Sequence, residues 1–118
     1  MLPNVYATLR ANSTVVSTVA TRIYRHGSAP QDVAKPYITW ALVAGTPYDV
    51  INAAPCADRD LCQIDCWSET DTHVETLAYA VRAALDSAGI SNRIVMNMRE
   101  TDTKLYRIGL EADFISSR

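Results

Sequence analysis

No run of apolar residues in this chain approaches the ~20 that a membrane-spanning helix needs, so a membrane is not expected among its partners. The N-terminus shows no basic region, apolar core and small-residue cleavage site in series, which predicts a soluble protein assembled in the cytoplasm. Glycine is sparse: the four, at positions 27, 45, 89 and 109, are too scattered to cradle a phosphate, and neither a Walker-type loop nor a dinucleotide fingerprint is present. Positive charge is not in excess either. Eleven basic against thirteen acidic side chains leave a net charge of −2, so no global field gathers nucleic acid through its phosphates. The three cysteines, Cys56, Cys62 and Cys66, are odd in number and lack the spacing of a disulfide framework, which suits a reducing compartment. Asn12-Ser13-Thr14 matches a glycosylation sequon but, without an export signal, reads as chance. No internal repeat, low-complexity tract or linker divides the chain.

What is there suits one compact domain: 118 residues, 48% of them hydrophobic, are enough for a core without covalent help. The most informative stretch is 61–85. Cys62, Ile64 and Cys66 alternate with Gln63 and Asp65 between Leu61 and Trp67, the period of two of a half-buried strand. Two overlapping helix-start signals follow, Ser68-Glu69-Thr70-Asp71 and Thr72-His73-Val74-Glu75. Val74, Leu77, Ala78, Val81, Leu85 and Ala88 then recur every three or four residues as one apolar stripe, with Glu75, Tyr79, Arg82 and Asp86 opposite. Arg82 and Asp86, one turn apart, are placed to pair. Gly89 supplies a left-handed stop.

Elsewhere, Pro3 fits the first turn of an N-terminal helix buried through Val5, Leu9 and Tyr6. Asn12-Ser13-Thr14 interrupts that helix and caps a second piece resting on Val15, Val16 and Val19. Residues 22–25 read as a brief strand and 26–32 as a loop. Pro36 disfavours helix at Lys35 and introduces a core strand over 37–44, rich in β-branched and aromatic residues. From 45 to 60 the pattern lapses, predicting a connection longer than a hairpin loop. Runs over 93–99 and 104–115, around Glu100-Thr101-Asp102-Thr103, predict a closing hairpin in which Tyr106, Ile108, Leu110, Ala112 and Phe114 alternate with Arg107, Gly109, Glu111 and Asp113. The order predicts an α+β domain: a mostly antiparallel sheet of about 4–5 strands with helices packed on one face.

The residues that carry chemistry do not assemble into a motif. Cys62 and Cys66, four apart on a strand, lie roughly 13 Å from each other, too far to share one zinc ion whose bonds are near 2.3 Å. They read as small buried thiols. His73, with Glu69, Asp71 and Glu75 near it, reads as the first turn of a helix whose dipole favours carboxylates. A thiol- or metal-dependent hydrolase using Cys56 or Cys66 with His26 or His73 is the remote enzymatic alternative, without a nucleophile context to support it. The expectation is a non-enzyme with no cofactor and no metal. Arg93, Arg99, Lys104 and Arg107 in the closing hairpin are interleaved with Glu100, Asp102, Glu111 and Asp113, a mixed-charge solvated face rather than a nucleic-acid patch. Tyr37, Trp40, Trp67 and Tyr106 read as core or subunit contacts before base-stacking platforms.

Four pieces, in order, carry a family resemblance: Thr21-Arg22-Ile23-Tyr24 after a helical pair; Ala29-Pro30-Gln31 before Lys35-Pro36-Tyr37-Ile38; Gln63-Ile64-Asp65-Cys66-Trp67-Ser68; and Leu77-Ala78-Tyr79-Ala80-Val81-Arg82-Ala83-Ala84-Leu85. With the closing strands they resemble the bacteriophage tail completion family, the tail terminator and tail-to-head joining proteins of long-tailed phages. The resemblance implies an α+β subunit that forms a ring, typically hexameric, at the head-proximal end of the tail, where it stops tube growth by shape rather than catalysis and joins tail to head. The implied partners are copies of itself, the tail tube protein and the head-tail connector or neck proteins, with DNA only as cargo passing through the lumen. A neck adaptor contacting the connector is the alternative within the same family. The resemblance also implies work for the flanks of 61–85. Tyr48, Val50 and Ile51 become apolar anchors of a docking loop that otherwise reads equally as a flexible connection. Arg25 and Asp32 become rim charges, and Arg99 and Lys104 candidate interface cations on the hairpin.

Overall fold

The computed structural model describes residues 3–25, 29–30, 33–47 and 57–117. Along the chain come helices α1 (Val5–Arg10) and α2 (Ser13–Val19), strands β1 (Ile23–Arg25), β2 (Tyr37–Pro47) and β3 (Ala57–Ser68), helix α3 (Asp71–Ser87), and strands β4 (Ser91–Arg99) and β5 (Tyr106–Ser117). The strands form one sheet in the order β1-β2-β3-β5-β4, antiparallel except for the parallel β1–β2 pair. Helix α3 lies on β3, β5 and β4, and α1 and α2 pack against α3. This is the α+β architecture that the element order predicts.

Helix α3 follows its stripe. Val74, Leu77, Ala78, Val81 and Leu85 are buried, joined by Ala80 and Ala84, while Ala88 at the C-cap is exposed. Its N-cap is neither Ser68 nor Thr72 but Thr70, whose hydroxyl accepts from the His73 N–H at 3.3 Å; Ser68 instead accepts from the Thr70 N–H. The helix ends as its glycine predicts. Gly89 takes φ +73°, and the N–H groups of Gly89 and Ile90 donate back to the carbonyls of Asp86 and Leu85. Arg82 and Asp86 do not pair directly, because Asn92 stands between them: it accepts from Arg82 Nε at 3.0 Å and donates to Asp86 at 2.8 Å.

Across from α3, the sheet presents Ile38, Cys62, Ile64, Cys66, Ile108, Leu110, Ala112 and Phe114, all in the buried core. Each fully buried Leu or Ile contributes about 1.5–3 kcal/mol by leaving water. From the other side come Val5, Leu9, Val15 and Val19, whereas Tyr6 points outward and Val16 is only half-buried. Pro3 precedes the first turn rather than occupying it, because Asn4 is the N-cap and accepts from the Ala7 N–H. Asn12 caps α2 as predicted, accepting from the N–H groups of Thr14 and Val15 at 2.9 and 3.1 Å.

Two boundaries depart from the sequence pattern. The connection predicted over 45–60 is shorter, since β2 continues through Pro47 and β3 begins at Ala57, the two pairing as far as Pro47 opposite Asp58. Cross-strand hydrogen bonding carries the ladder through residues of low β propensity, as tertiary context regularly does. The core strand predicted over 37–44 is buried only at Ile38 and Thr39; Leu42, Val43 and Ala44 are exposed. Lys104 lies in the turn before β5, with φ +58°.

Candidate functional site

The sheet face away from the helices is where strands with alternating sequences must place their polar half. Here it becomes a crossed set of rings and charges. Tyr24, Tyr37, Trp67 and Arg107 follow one another on β1, β2, β3 and β5. Tyr24 meets Tyr37 edge-on at 6.5 Å between centroids, Tyr37 stacks on Trp67 at 5.9 Å, and the Arg107 guanidinium sits 5.0 Å over the Trp67 ring. Trp67 Nε1 donates to Thr39 Oγ1 at 3.0 Å. Burial pushes the Tyr37 phenol pKa up, with the Glu100 carboxylate adding to it.

Arg107 also binds Asp65 at 3.1 Å and Glu100 at 3.2 Å. Asp65 is only 5% exposed and accepts a further bond from Gln63 Nε2. Gly109, its register partner, makes room for this carboxylate: a Cβ there would stand 2.9 Å from Asp65 Oδ1 and 3.3 Å from Met96 Cβ. Further along, Arg93 pairs with Glu111 and Arg59 with Asp113 at 2.9 Å. The interleaved charges of the closing hairpin are therefore ordered as cross-strand pairs. Among the described residues, Arg107 Nε is the one buried side-chain polar atom of this face left without a partner.

The thiols belong to the other side. Cys62 and Cys66 are free and fully buried under α3. Burial, with Asp60 second, raises the Cys62 pKa to about 11; burial, with Asp65 second, raises that of Cys66 further. A thiol so held is protonated and a poor nucleophile. Among the described residues no three His, Cys, Asp or Glu side chains are grouped to hold a metal ion. His73 is exposed in the first turn of α3, and Cys56 and His26 lie outside the described residues.

Of the interface candidates, Asp32, Tyr48, Val50 and Ile51 also lie outside the described residues. Arg25, at the end of β1, is exposed with its guanidinium 5.8 Å over the Trp40 ring. Arg99, at the end of β4, stands 5.6 Å over Tyr106. Lys104 is exposed and, with Pro30, Val33, Lys35, Tyr37, Glu69 and others, lines an open depression of about 380 Å³ at the same end of the sheet as Arg99. The structure does not bring Arg25 and Arg99 together, since they sit on opposite edge strands.

Sequence reasoning missed a second group. Of eight exposed large apolar side chains among the described residues, Leu42 and Val43 lie on β2, and Ile94, Val95 and Met98 lie on β4. Five of eight thus fall on the strands with unpaired edges. The available signal was the apolar run Ile94-Val95-Met96, which breaks the alternation expected of a half-solvated strand.

The comparisons with known proteins agree with one another. A family model described as tail completion protein gp17 matches residues 3–115. A chain from a structure titled "Virion of native gene transfer agent (GTA) particle" superposes with a TM-score of 0.70 at 18% identity, over 97% of this chain and 92% of that one. No curated protein matches the sequence. With nearly its whole length matched, the chain belongs to the tail completion protein gp17 family, and its role is that of a structural component of the phage tail in the virion.

Proposed function

We propose that this protein forms a closed ring, hexameric in its simplest form, on the head-proximal end of the tail tube, where it ends tube growth and offers its other face to the head connector. The observation that carries the reading is the family match over residues 3–115 in a subunit whose strands β2 and β4 leave apolar side chains exposed. Heterologous contacts between identical subunits cover such strands and, where the rotation closes, form rings. The mechanism is geometric: one ring face accepts the last tube ring and the other does not accept a further tube subunit. It needs no catalytic group, in keeping with thiols that burial holds protonated. The partners are further copies of the chain, the tube protein and the connector or neck proteins, with DNA passing through the lumen as cargo.

Light scattering and electron microscopy of the purified protein, alone and with isolated tubes, test the proposal. Rings, or monomers that become rings on tube ends, support it. A protein that stays monomeric and ignores tube ends sinks it. Withholding the protein during phage assembly should leave filled heads unattached to tails. Pull-downs against isolated tube and connector proteins separate a terminator, which binds the tube end, from a neck adaptor, which binds only the connector.

A further inference from the structure

The sheet has two free edges among the described residues, and they are complementary. On one side β1 covers β2 only at residues 38–40, leaving the outer edge of 41–47 unpaired. On the other side β4 pairs with β5 and presents its whole outer edge, nine residues long. Both stretches carry uncovered apolar side chains, Leu42 and Val43 against Ile94, Val95 and Met98. Neither carries a lysine or a central proline, although each strand has a bulge, between Leu42 and Ala44 and between Ile94 and Met96, and β4 carries Arg93, paired with Glu111, and Arg99 at its end.

The two edges also run in opposite directions. β3 is antiparallel to β2, β5 to β3 and β4 to β5, so β4 is antiparallel to β2. When identical subunits stand side by side, β4 of one therefore meets β2 of the next in antiparallel sense. The free stretches are offset along the strands: Ala44 is level with Ser91 and Ala41 with Arg93, and residues 45–47 run beyond the start of β4. An offset of this kind is the stagger that a closed sheet takes up as its strands tilt.

Charge points the same way. Asp60, paired in register with Gly45 of β2, is 6% exposed and has no hydrogen-bond or ion-pair partner among the described residues. Its oxygens are not among the buried side-chain atoms left without a partner, so they face solvent and are open to a cation approaching from outside. Arg82 of α3, beside the start of β4, binds Asn92 through Nε and makes no ion pair among the described residues. Asp60 and Asn92 both lie on the helix side of the sheet at the same end, in register with Phe114 and Ala112 of β5. Each copy thus holds an unpaired cation at one edge and an unpaired carboxylate at the other.

Building on the ring reading, we propose that β4 of one copy pairs antiparallel with residues 41–47 of β2 in the next, head to tail around the ring, with Arg82 of the first meeting Asp60 of the second. The sheets then join into one continuous surface, and no apolar edge is left open.

Two measurements on the full chain test it, with circular dichroism confirming that each variant is folded. In the first, R82D and D60N are each expected to lower the assembled fraction in analytical ultracentrifugation, or on tube ends, by roughly tenfold, the size of one lost charge-assisted contact. The swap R82D/D60R should recover it. In the second, A44C combined in turn with S91C and V95C should give an oxidation-dependent ladder of linked copies, absent from the single substitutions and from the unsubstituted chain. Rings that form at undiminished yield in R82D, with neither double variant cross-linked, overturn the edge pairing and leave the ring intact. No assembly of the unsubstituted chain, alone or on tube ends, removes the ring reading and this proposal with it.

Discussion

Strands β3 and β4 belong to the same sheet, separated by β5, and are spent differently. In β3, Cys62, Ile64 and Cys66 are fully buried under α3, and even Asp60, Asp65 and Ser68 are nearly closed off. In β4, no residue is buried, although Ile94, Val95, Met96 and Met98 are as apolar as anything in β3. The sequences promise two similar strands. Their positions decide otherwise, because β3 has neighbours on both edges and a helix above, and β4 has one neighbour and a helix that reaches only part of it. A contiguous apolar patch that a domain leaves uncovered is a candidate contact surface.

If the centre of the sheet holds the fold and the edge serves assembly, substitutions should separate the two. The largest effect is expected in the centre: Leu110→Ala, a fully buried site between β3 and β4, should cost about 2–5 kcal/mol of unfolding free energy by urea titration. A result below about 1 kcal/mol would mean that the core is not where the packing places it.

The buried thiols give a second handle. Their raised pKa keeps them protonated in the folded chain while an unfolded thiol ionises near its ordinary value of 9.0, so the unfolded state binds fewer protons between about 9 and 11. Stability should therefore fall as pH rises through that window, and a thiol-specific reagent at mildly alkaline pH should label Cys62 and Cys66 only on unfolding. Fast labelling of Cys62 or Cys66 in the native chain, located by peptide mapping, would break the contrast.

On the open face, Gly109→Ala forces Asp65 away from Arg107 and should cost about 1–3 kcal/mol, with Arg107→Ala partly relieving the penalty in a double-mutant cycle. Thr70→Ala removes the α3 cap and should cost about 1 kcal/mol in the same titration. The smallest stability change belongs to the edge: Val95→Thr should shift unfolding by about 0.5 kcal/mol or less while weakening assembly. A Val95 substitution that unfolds the monomer, or that leaves assembly untouched, would erase the distinction between β3 and β4.

Local patterns were legible wherever the chemistry is local. The α3 stripe, the Asn12 cap, the Gly89 stop and the alternation in β5 all rest on residues within a few positions of each other. The candidate interface was less so. Arg25, Arg99 and Lys104 are exposed, as the charge pattern predicts, yet the exposed apolar residues of β2 and β4 went unread, because both strands have the composition of core strands. The extension of β2 and β3 into 45–60 was hidden for the opposite reason: those residues have little propensity of their own and are held by the ladder.

By itself, then, the sequence determined the order of the elements, the buried faces of α3 and of the central strands β3 and β5, and a family likeness that the matched length upholds. Tertiary structure alone decided which strands lie at the edges, which charges meet across 42 and 54 residues of chain in the Arg107–Asp65 and Arg59–Asp113 pairs, and that Arg82 meets an amide, Asn92, rather than a carboxylate. The physical reason is range. Helix periods and caps are set by neighbours in sequence, whereas an edge exists only once all five strands have taken their places.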